Sequence, residues 1–315
     1  LQQALAIQEK LAPNSLTVAD TLHNLGQVAC DRGDLSGAEQ LYQQALAIYE
    51  KLAPNSINVA RSLHHLGNVA RNRGDLARAE RLYQQALAIY EKLSPNSMNV
   101  AHALHDLGAV AYDRGDLAGA EGLYQQALAI YEKLAPNSIN VARILGNLGL
   151  VAYDRGDLAG AERLYQQALA IQEKLAPNSL DVARSLHHLG NVARNRGDLS
   201  GAERLYQQAL AIYEKHAPNS LDGAYTLHNL GLVARDRGDL SGAERLYQQA
   251  LAIYEKHAPN SLAVAHALHN LGALACDRGD LSEAEQLLQQ ALGIYERHAP
   301  NSLAVAHALH NLGAL

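Results

Sequence analysis

The strongest constraint on this chain is a sequence repeat with a fixed period of 41 residues. The glycine of a Leu-Gly pair recurs at this interval without a slip, and all eight prolines follow the same period, from Pro13 to Pro300. Such a period is typical of solenoids and arrays, because a short unit cannot bury its apolar face alone and stacks on its neighbours. The recurring glycines are Gly26, Gly67, Gly108, Gly149, Gly190, Gly231, Gly272 and Gly313.

Within each repeat, two stretches show the spacing of a helix. In the second repeat, apolar residues recur at steps of three and four, which places them on one helical face. This spacing predicts helix A over Ile57–Asn72, capped by Ser56, and helix B over Leu76–Leu93. Between them, Gly74 suits a helix stop and Asp75 suits a cap on helix B. Each repeat is therefore predicted to be an antiparallel helical hairpin.

Helix B carries two apolar rows, and one hairpin cannot bury both, so the hairpins are expected to stack. We expect one array over residues 1–315, with a half-repeat (helix B) at 1–12, seven helix-turn-helix repeats at 14–300 and a terminal helix A at 301–315. Both ends fall inside a repeat, which favours a fragment of a longer array. The alternative is head-to-tail self-association, since a helix A at one end complements a helix B at the other.

The segment LHHLGNVARNRGDLARAERLYQQAL of the second repeat resembles the tetratricopeptide repeat (TPR). The long repeats of the kinesin light chain family are more similar still, since they share the ALAIYEK-like end of helix B. The resemblance implies an all-α, right-handed superhelix (solenoid) of stacked antiparallel hairpins, with helix A lining a concave, peptide-binding groove. It also implies a non-catalytic protein-protein interaction scaffold. A consensus-like repeat protein with no dedicated ligand is the alternative. The residues that match the repeat are Leu66, Gly67, Gly74, Ala79, Tyr83 and Ala86.

Composition narrows the range of partners. The net charge is -6 and no basic run occurs, which argues against nucleic acid. No apolar run reaches membrane-spanning length, and no signal peptide opens the chain. Cys30 and Cys276 lie six repeats apart, so no internal disulfide is expected, and a reduced, cytoplasmic protein fits best. No cofactor is predicted, and no unique set of acid, base and nucleophile indicates an enzyme.

Candidate binding residues emerge when the repeats are compared with one another. The core positions of helix A hardly change, whereas three other positions vary within one angular sector that is predicted to point away from the core. The resemblance places this sector in the peptide groove, and drift of unconstrained surface residues is the alternative. The predicted binding residues are Arg61, His64, His65, Asn68, Arg71, His102, His105, Tyr112, Arg143, Asn147, Tyr153, Arg184, His187, His188, Asn191, Arg194, Tyr225, His228, Asn229, Arg235, His266, His269 and Asn270.

One position of helix A is histidine in nearly every repeat, and an asparagine often follows it. In the kinesin light chain family the matching positions are asparagines that hold the main chain of a peptide. Neutral histidine and asparagine both donate and accept hydrogen bonds, so this predicted ladder suits an extended backbone. Inheritance by duplication is the alternative. The histidines are His23, His64, His105, His187, His228, His269 and His310.

The second and fifth repeats carry arginines at the same two positions, Arg61 and Arg71 in one and Arg184 and Arg194 in the other. The residue after the second arginine is asparagine in both repeats, where most other repeats have aspartate. We therefore predict two equivalent basic patches without a neighbouring acid, suited to the carboxylates of an acidic protein or peptide ligand.

Metal binding and cell adhesion are rival hypotheses. Two i,i+3 histidine pairs on adjacent repeats suit zinc or nickel, although no cysteine or carboxylate joins them, and we expect no functional metal. The triplet Arg-Gly-Asp, which is known as an adhesion motif, occurs seven times. Here it recurs with the 41-residue period, and its position at the end of helix A and the start of helix B explains it as a helix stop followed by a helix cap. The histidine cluster would be His266, His269, His307 and His310.

Overall fold

The computed structural model describes residues 1–314, and these residues form only α-helices and the turns between them. The all-α fold class predicted from the sequence is thus confirmed. None of the described helices is long and apolar enough to cross a membrane. The helices are α1 (Gln2–Leu11), α2 (Leu16–Asp31), α3 (Leu35–Leu52), α4 (Ile57–Asn72), α5 (Leu76–Leu93), α6 (Met98–Asp113), α7 (Leu117–Leu134), α8 (Ile139–Asp154), α9 (Leu158–Leu175), α10 (Leu180–Asn195), α11 (Leu199–His216), α12 (Leu221–Asp236), α13 (Leu240–His257), α14 (Leu262–Arg278), α15 (Leu281–His298) and α16 (Leu303–Gly313).

The chain divides into two compact units, unit 1 over Leu1–Gly156 and unit 2 from Asp157 onward. In unit 1, α2 packs on α3, α4 on α5 and α6 on α7, and each helix B also packs on the next helix A. Unit 2 repeats this order from α10 to α15, and α16 packs on α15. The bounds predicted for helices A and B of the second repeat are those of α4 and α5. The single array over residues 1–315 stays a prediction, and Leu315 of the predicted terminal helix lies outside the described residues.

Side-chain caps start both helices of a repeat. Ser56 Oγ accepts a hydrogen bond from the Val59 N–H of α4 at 3.4 Å, and Asp75 Oδ1 accepts one from the Arg78 N–H of α5 at 3.0 Å. Between the two helices, Gly74 has a φ of +80°, a conformation that L side chains rarely adopt. The Gly-Asp part of the repeated triplet is thus a helix stop followed by a helix cap.

The arginine of each described triplet from the second repeat onward binds the helix B that precedes it. Arg73, for example, pairs with Glu39 of α3. These ion pairs lie at the surface, where each contributes little on its own, but they tie each turn to the repeat before it. The equivalent pairs are Arg114–Glu80, Arg155–Glu121, Arg196–Glu162, Arg237–Glu203 and Arg278–Glu244.

A tyrosine of helix B fixes the distance between the two helices of a hairpin. Tyr83 is 1% exposed and lies against Gly67 of α4. A Cβ atom at Gly67 would lie 2.5 Å from Tyr83 Cε1, which is too short for any real contact. The periodic Leu-Gly pair is therefore the place where helix A accepts the aromatic ring. In the seventh repeat Leu288 stands in for the tyrosine, against Gly272.

Candidate functional site

The predicted binding residues lie on the A helices, α4, α6 and α8 in unit 1 and α10, α12 and α14 in unit 2. We call the surface that the A helices form in each unit its A-helix face. Its members differ in exposure. Five are exposed, namely Arg61, Arg143, Arg184, Tyr225 and His266. The others are half-buried: His64, His65, Asn68, Arg71, His102, His105, Tyr112, Asn147, Tyr153, His187, His188, Asn191, Arg194, His228, Asn229, Arg235, His269 and Asn270.

The histidine ladder is more deeply packed than the sequence suggested. The ring of His64 meets that of Tyr83 edge-on at a centroid distance of 5.3 Å, and its side chain is 14% exposed. His23 is 4% exposed. The ring of His64 lies over the helix B tyrosine and leaves only part of its surface exposed. The peptide-binding role of the ladder stays a prediction.

These imidazoles bind the neighbouring repeat. In both units the Nε2 atom of a histidine meets the polar residue 42 positions later, on the next helix A. Because asparagine Nδ2 can only donate, Nε2 accepts in these bonds and the imidazole is neutral. The distances are 3.0 Å for His105–Asn147, 3.5 Å for His187–Asn229, 3.1 Å for His228–Asn270 and 3.3 Å for His269–Asn311.

Asp106 changes this arrangement in unit 1. Its Oδ2 lies 2.6 Å from His64 Nε2, and its Oδ1 lies 2.9 Å from His105 Nδ1. A carboxylate only accepts, so both of these ring nitrogens carry hydrogen. Burial alone would raise the pKa of Asp106, but the hydrogen bonds from His105 and His64 hold it well below the usual range. The result is an ionised carboxylate between two helices of the A-helix face.

The Nδ1 atoms of the ladder have hydroxyl partners at some repeats and none at others. Ser62 Oγ lies 3.2 Å from His23 Nδ1, and Thr226 Oγ1 lies 2.9 Å from His187 Nδ1. For His228 and His269, the residue 39 positions further on is alanine instead of serine or threonine. The Nδ1 atoms of these two histidines are buried without a hydrogen-bond partner. The alanines are Ala267 and Ala308. Sequence analysis overlooked this position, although its spacing of 39 residues from each histidine is visible in the sequence.

Burial keeps several of these histidines neutral. It lowers the pKa of His65, His187 and His228 to about 4 each, with smaller contributions from neighbouring positive charges at His65 and His228. It lowers the pKa of His23 and His188 to about 3 for the same reason. A neutral imidazole can accept the asparagine N–H described above, and a protonated one cannot.

The two basic patches predicted without a neighbouring acid are not found. Arg71 Nε lies 2.8 Å from Asp113 Oδ2, and Arg194 Nη2 lies 3.2 Å from Asp236 Oδ2. In each case the acid belongs to the next repeat, at the end of the next helix A. The sequence prediction considered only the arginine's own repeat. The acid comes from the following repeat because its helix A packs beside the helix A that carries the arginine.

Other predicted residues are also engaged within the protein. Asn68 Oδ1 accepts a hydrogen bond from the Tyr83 hydroxyl at 2.6 Å, and Asn191 Oδ1 accepts one from Tyr206 at 2.7 Å. Tyr112 donates to Asp154 Oδ2 at 2.5 Å. Within each unit, hydrogen bonds therefore link successive A helices, and the exposed residues lie beside these bonded pairs.

A pocket of about 350 Å³ opens on the A-helix face of unit 1. Asp106 and its two histidines form one part of it, and Arg61 and Arg143 lie on two flanking A helices. Arg61 lies 3.9 Å from Asp20, which is a loose ion pair, and Arg143 donates to Asn140 of its own helix. The complete lining is Arg61, His64, His65, Tyr90, Asn99, His102, His105, Asp106 and Arg143.

The histidines considered for a metal do not come together. Among residues 1–314 there is no group of three histidine, cysteine or acidic side chains arranged to hold a metal ion. His266 Nδ1 instead lies 2.9 Å from the Tyr295 hydroxyl, and His269 binds Asn311. The i,i+3 spacing places these side chains on one helix face, but side-chain partners within the protein use the nitrogens His266 Nδ1 and His269 Nε2.

Family models establish the class of this protein. The tetratricopeptide repeat model matches residues 1–51, 58–133 and 140–215, and a second tetratricopeptide repeat model matches 224–259 and 264–300. These matches cover more than half of the chain, which therefore belongs to the tetratricopeptide repeat family. A comparison with curated protein sequences finds no relative.

Solved structures agree with this fold. BtubC (BKLC) from P. vanneervenii is 22% identical over 72% of this chain and 94% of its own, with a TM-score of 0.61. A putative kinesin light chain repeat protein from Podosopora anserina is 23% identical over 65% of this chain and 99% of its own, with a TM-score of 0.52. Aspartyl phosphate phosphatase F from Bacillus subtilis is 14% identical over 96% of this chain and 75% of its own, with a TM-score of 0.71.

Proposed function

We propose that this chain is a non-catalytic protein-interaction scaffold that binds a peptide or protein segment on its A-helix face. Proteins of the tetratricopeptide repeat family are generally scaffolds of this kind. The observation that carries the proposal is the pocket of unit 1, where three successive A helices contribute to one polar cleft. A surface that served packing alone would not need two exposed arginines beside a half-buried carboxylate.

The contacts favour an extended, acidic ligand. Arg61 and Arg143 each present a guanidinium group with five N–H donors, and the pairings described above use few of them. Arginine holds a carboxylate through two parallel hydrogen bonds, so each residue suits an acidic side chain. Asn99, His65 and His102, which also line this pocket, add half-buried polar groups for a peptide main chain.

Peptide selection followed by a binding measurement tests the proposal. A random twelve-residue library is selected on the immobilised protein, and the affinity of a selected peptide is measured by fluorescence anisotropy. The double variant Arg61→Ala, Arg143→Ala is expected to weaken binding at least tenfold, because it removes two bidentate contacts. Arg81→Ala, an exposed arginine of helix B, is the matched control and is expected to bind like the wild type.

If the selected peptides bind the double variant and the control as tightly as the wild type, the ligand lies elsewhere and the proposal is overturned. A library that yields no binder at all would favour the alternative from the sequence, a repeat protein with no dedicated ligand.

Head-to-tail self-association is the second candidate. Leu309 of α16 is 51% exposed, whereas Leu268 at the same register of α14 is 5% exposed. A helix B of a second copy, packed on α16 as α15 packs on α14, would cover this residue in a head-to-tail contact. Light scattering over a concentration series tests the idea: a mass that grows with concentration and falls back in Leu309→Asn supports it, and a constant monomer mass excludes it.

We also propose a reducing, cytoplasmic location. Cys30 and Cys276 are both free thiols, as in most proteins that stay in a reducing compartment. Expression as a fluorescent fusion, with the localisation read by microscopy, tests this assignment.

A further inference from the structure

We infer that the pocket of unit 1 selects a segment of mixed charge, with acidic groups over Arg61 and Arg143 and a hydrogen-bond donor or cationic group between them against Asp106. The inference rests on the function proposed above and adds the order of charges that the ligand carries.

A neutral residue on the middle A helix lies between the two positive charges of the pocket. Arg61, His102 and Arg143 occupy the same register in three successive A helices. His102 lies between the arginines in this series and packs on Tyr131 at a ring distance of 5.6 Å. Burial lowers its pKa, which keeps the imidazole neutral. A ligand that crosses this row therefore meets a cation, a neutral ring and a second cation.

The negative charge lies at the middle step. Asp106 is on the same helix as His102 and lines the same pocket. A carboxylate has about four lone-pair positions. His64 and His105 use one on each oxygen, so acceptor capacity remains, and the side chain is 19% exposed. An acidic group placed here would face a like charge, whereas an N–H donor or an ammonium group would gain a partner.

Unit 2 lacks this order of charges. At the register of Arg61, His102 and Arg143 it has Arg184, Tyr225 and His266, and Arg184 already pairs with Asp181 at 3.3 Å. At the register of Asp106 it has Asn229. The aspartate is unique in its series, which otherwise holds asparagine or histidine, so the selection belongs to unit 1. The series is Asn24, His65, Asp106, Asn147, His188, Asn229, Asn270 and Asn311.

The helix spacing gives the approximate length of the ligand. Packed helices lie about 8–10 Å apart, so two steps between A helices span roughly 16–20 Å. An extended chain covers about 3.3 Å per residue. Two glutamates about five or six residues apart therefore reach both arginines, with a central residue opposite Asp106.

Three synthetic peptides test this arrangement. They share two glutamates at that separation and differ only at the central residue, which is lysine, glutamine or glutamate. Fluorescence anisotropy with the full chain is expected to rank lysine above glutamine above glutamate, with about a tenfold difference between the extremes. Asp106→Asn, which installs the residue of unit 2, is expected to reduce that difference to less than about threefold. Glu132→Gln, which neutralises an exposed carboxylate on helix B (α7) outside the pocket, is the control and is expected to keep the wild-type ranking.

A second variant covers the case in which Asp106→Asn does not fold, as judged by circular dichroism. Arg143→Ala removes the partner of one glutamate that all three peptides share. The affinity of all three is therefore expected to fall by a similar factor, while their ranking persists. If the three peptides bind the wild type equally, the order of charges is overturned while the scaffold proposal stands. If none of them binds although library-selected peptides do, this inference fails alone; if nothing binds, both fail.

Discussion

Unit 1 and unit 2 place the same histidine on helix A but give it different partners. In unit 1, His64 binds the Asp106 carboxylate through Nε2. In unit 2, His187 at the same register binds Asn229 through Nε2 and Thr226 through Nδ1. The first imidazole therefore donates from the nitrogen with which the second accepts. Unit 1 has Asp106 at the register where unit 2 has Asn229. This single difference gives a charged junction in place of a neutral hydrogen bond.

The largest effect is expected from removing the carboxylate of unit 1. Asp106→Ala leaves two half-buried imidazole N–H groups without an acceptor, which we expect to cost about 3 kcal/mol. Asn229→Ala in unit 2 removes two neutral hydrogen bonds, to His187 and Asn191, and is expected to cost less, about 1–2 kcal/mol. Native-state hydrogen exchange of the amides in α4 and α6, compared with α10 and α12, measures the two losses separately. Equal losses would show that the charge at Asp106 carries no extra stabilisation.

Acid is expected to destabilise the protein through its neutral histidines. The pKa of His188 is about 3 and that of His187 about 4 in the folded protein, against an ordinary value near 6.5. Between these values the unfolded chain binds more protons than the folded one, so stability falls as the pH falls from about 7 towards 4. The melting temperature followed by circular dichroism is expected to drop by several degrees between pH 7 and pH 5.

The same measurement distinguishes buried from exposed histidines. His188→Asn, which installs the residue found at this register in the next repeat, is expected to remove part of the drop. His257→Asn changes an exposed histidine at the end of α13 and is expected to leave the drop unchanged. Identical pH profiles for both variants would contradict the assignment of acid sensitivity to burial.

Asp106 contributes in a lower pH range. The pKa of its carboxyl group is held below the ordinary value in the folded protein. Its contribution is therefore present above the ordinary aspartate pKa, near 3.9, and is lost as the pH falls through the folded value. The difference in stability between the wild type and Asp106→Asn is therefore expected to be full above about pH 4 and to shrink as an acid titration goes lower.

Transplanting the aspartate into unit 2 sharpens the comparison. Asn229→Asp places a carboxylate beside His187 Nε2, and an adjacent opposite charge raises a histidine pKa by about one pH unit or more. Titration of the His187 ring by NMR measures the change, with His216 at the exposed end of α11 as the internal reference. A pKa for His187 that stays near its present value would show that the helix spacing of unit 2 cannot form the junction.

The smallest expected effect concerns the missing hydroxyl group of unit 2. Ala267→Ser restores the group that Ser62 supplies in unit 1, and is expected to satisfy His228 Nδ1 and stabilise the protein by about 1 kcal/mol. Chemical denaturation measures this gain. Ala265→Ser, equally buried at another register, is the control and is expected to destabilise.

Local features of the fold followed directly from the sequence. The steps of three and four residues, Ser56, Gly74 and Asp75 predicted the bounds of α4 and α5, because caps and helix stops act within one turn of the chain. The period of the Leu-Gly pair is visible in the sequence, but its contact with Tyr83 of helix B is seen only in the structure.

The candidate site was harder to predict because its partners lie one repeat away. The acid beside Arg71 is Asp113, and the hydroxyl group beside His23 is Ser62. These spacings of 42 and 39 residues depend on how one helix A packs on the next, which the pattern within a repeat does not contain. The exposure of Arg61 and Arg143 was predicted, but the pocket that they share with Asp106 required the geometry of three helices.

The side-chain tautomers of the histidines test the central comparison most directly. At neutral pH, long-range nitrogen–proton NMR spectra are expected to show His64 protonated at Nε2, and His105 and His187 protonated at Nδ1 alone, since the partners described above demand it. In Asp106→Asn, where the acceptor of unit 1 is replaced by the residue of unit 2, the signal of His64 is expected to change. If His64 and His187 show the same tautomer in the wild type, Asp106 does not control the A-helix face, and the difference between the two units disappears.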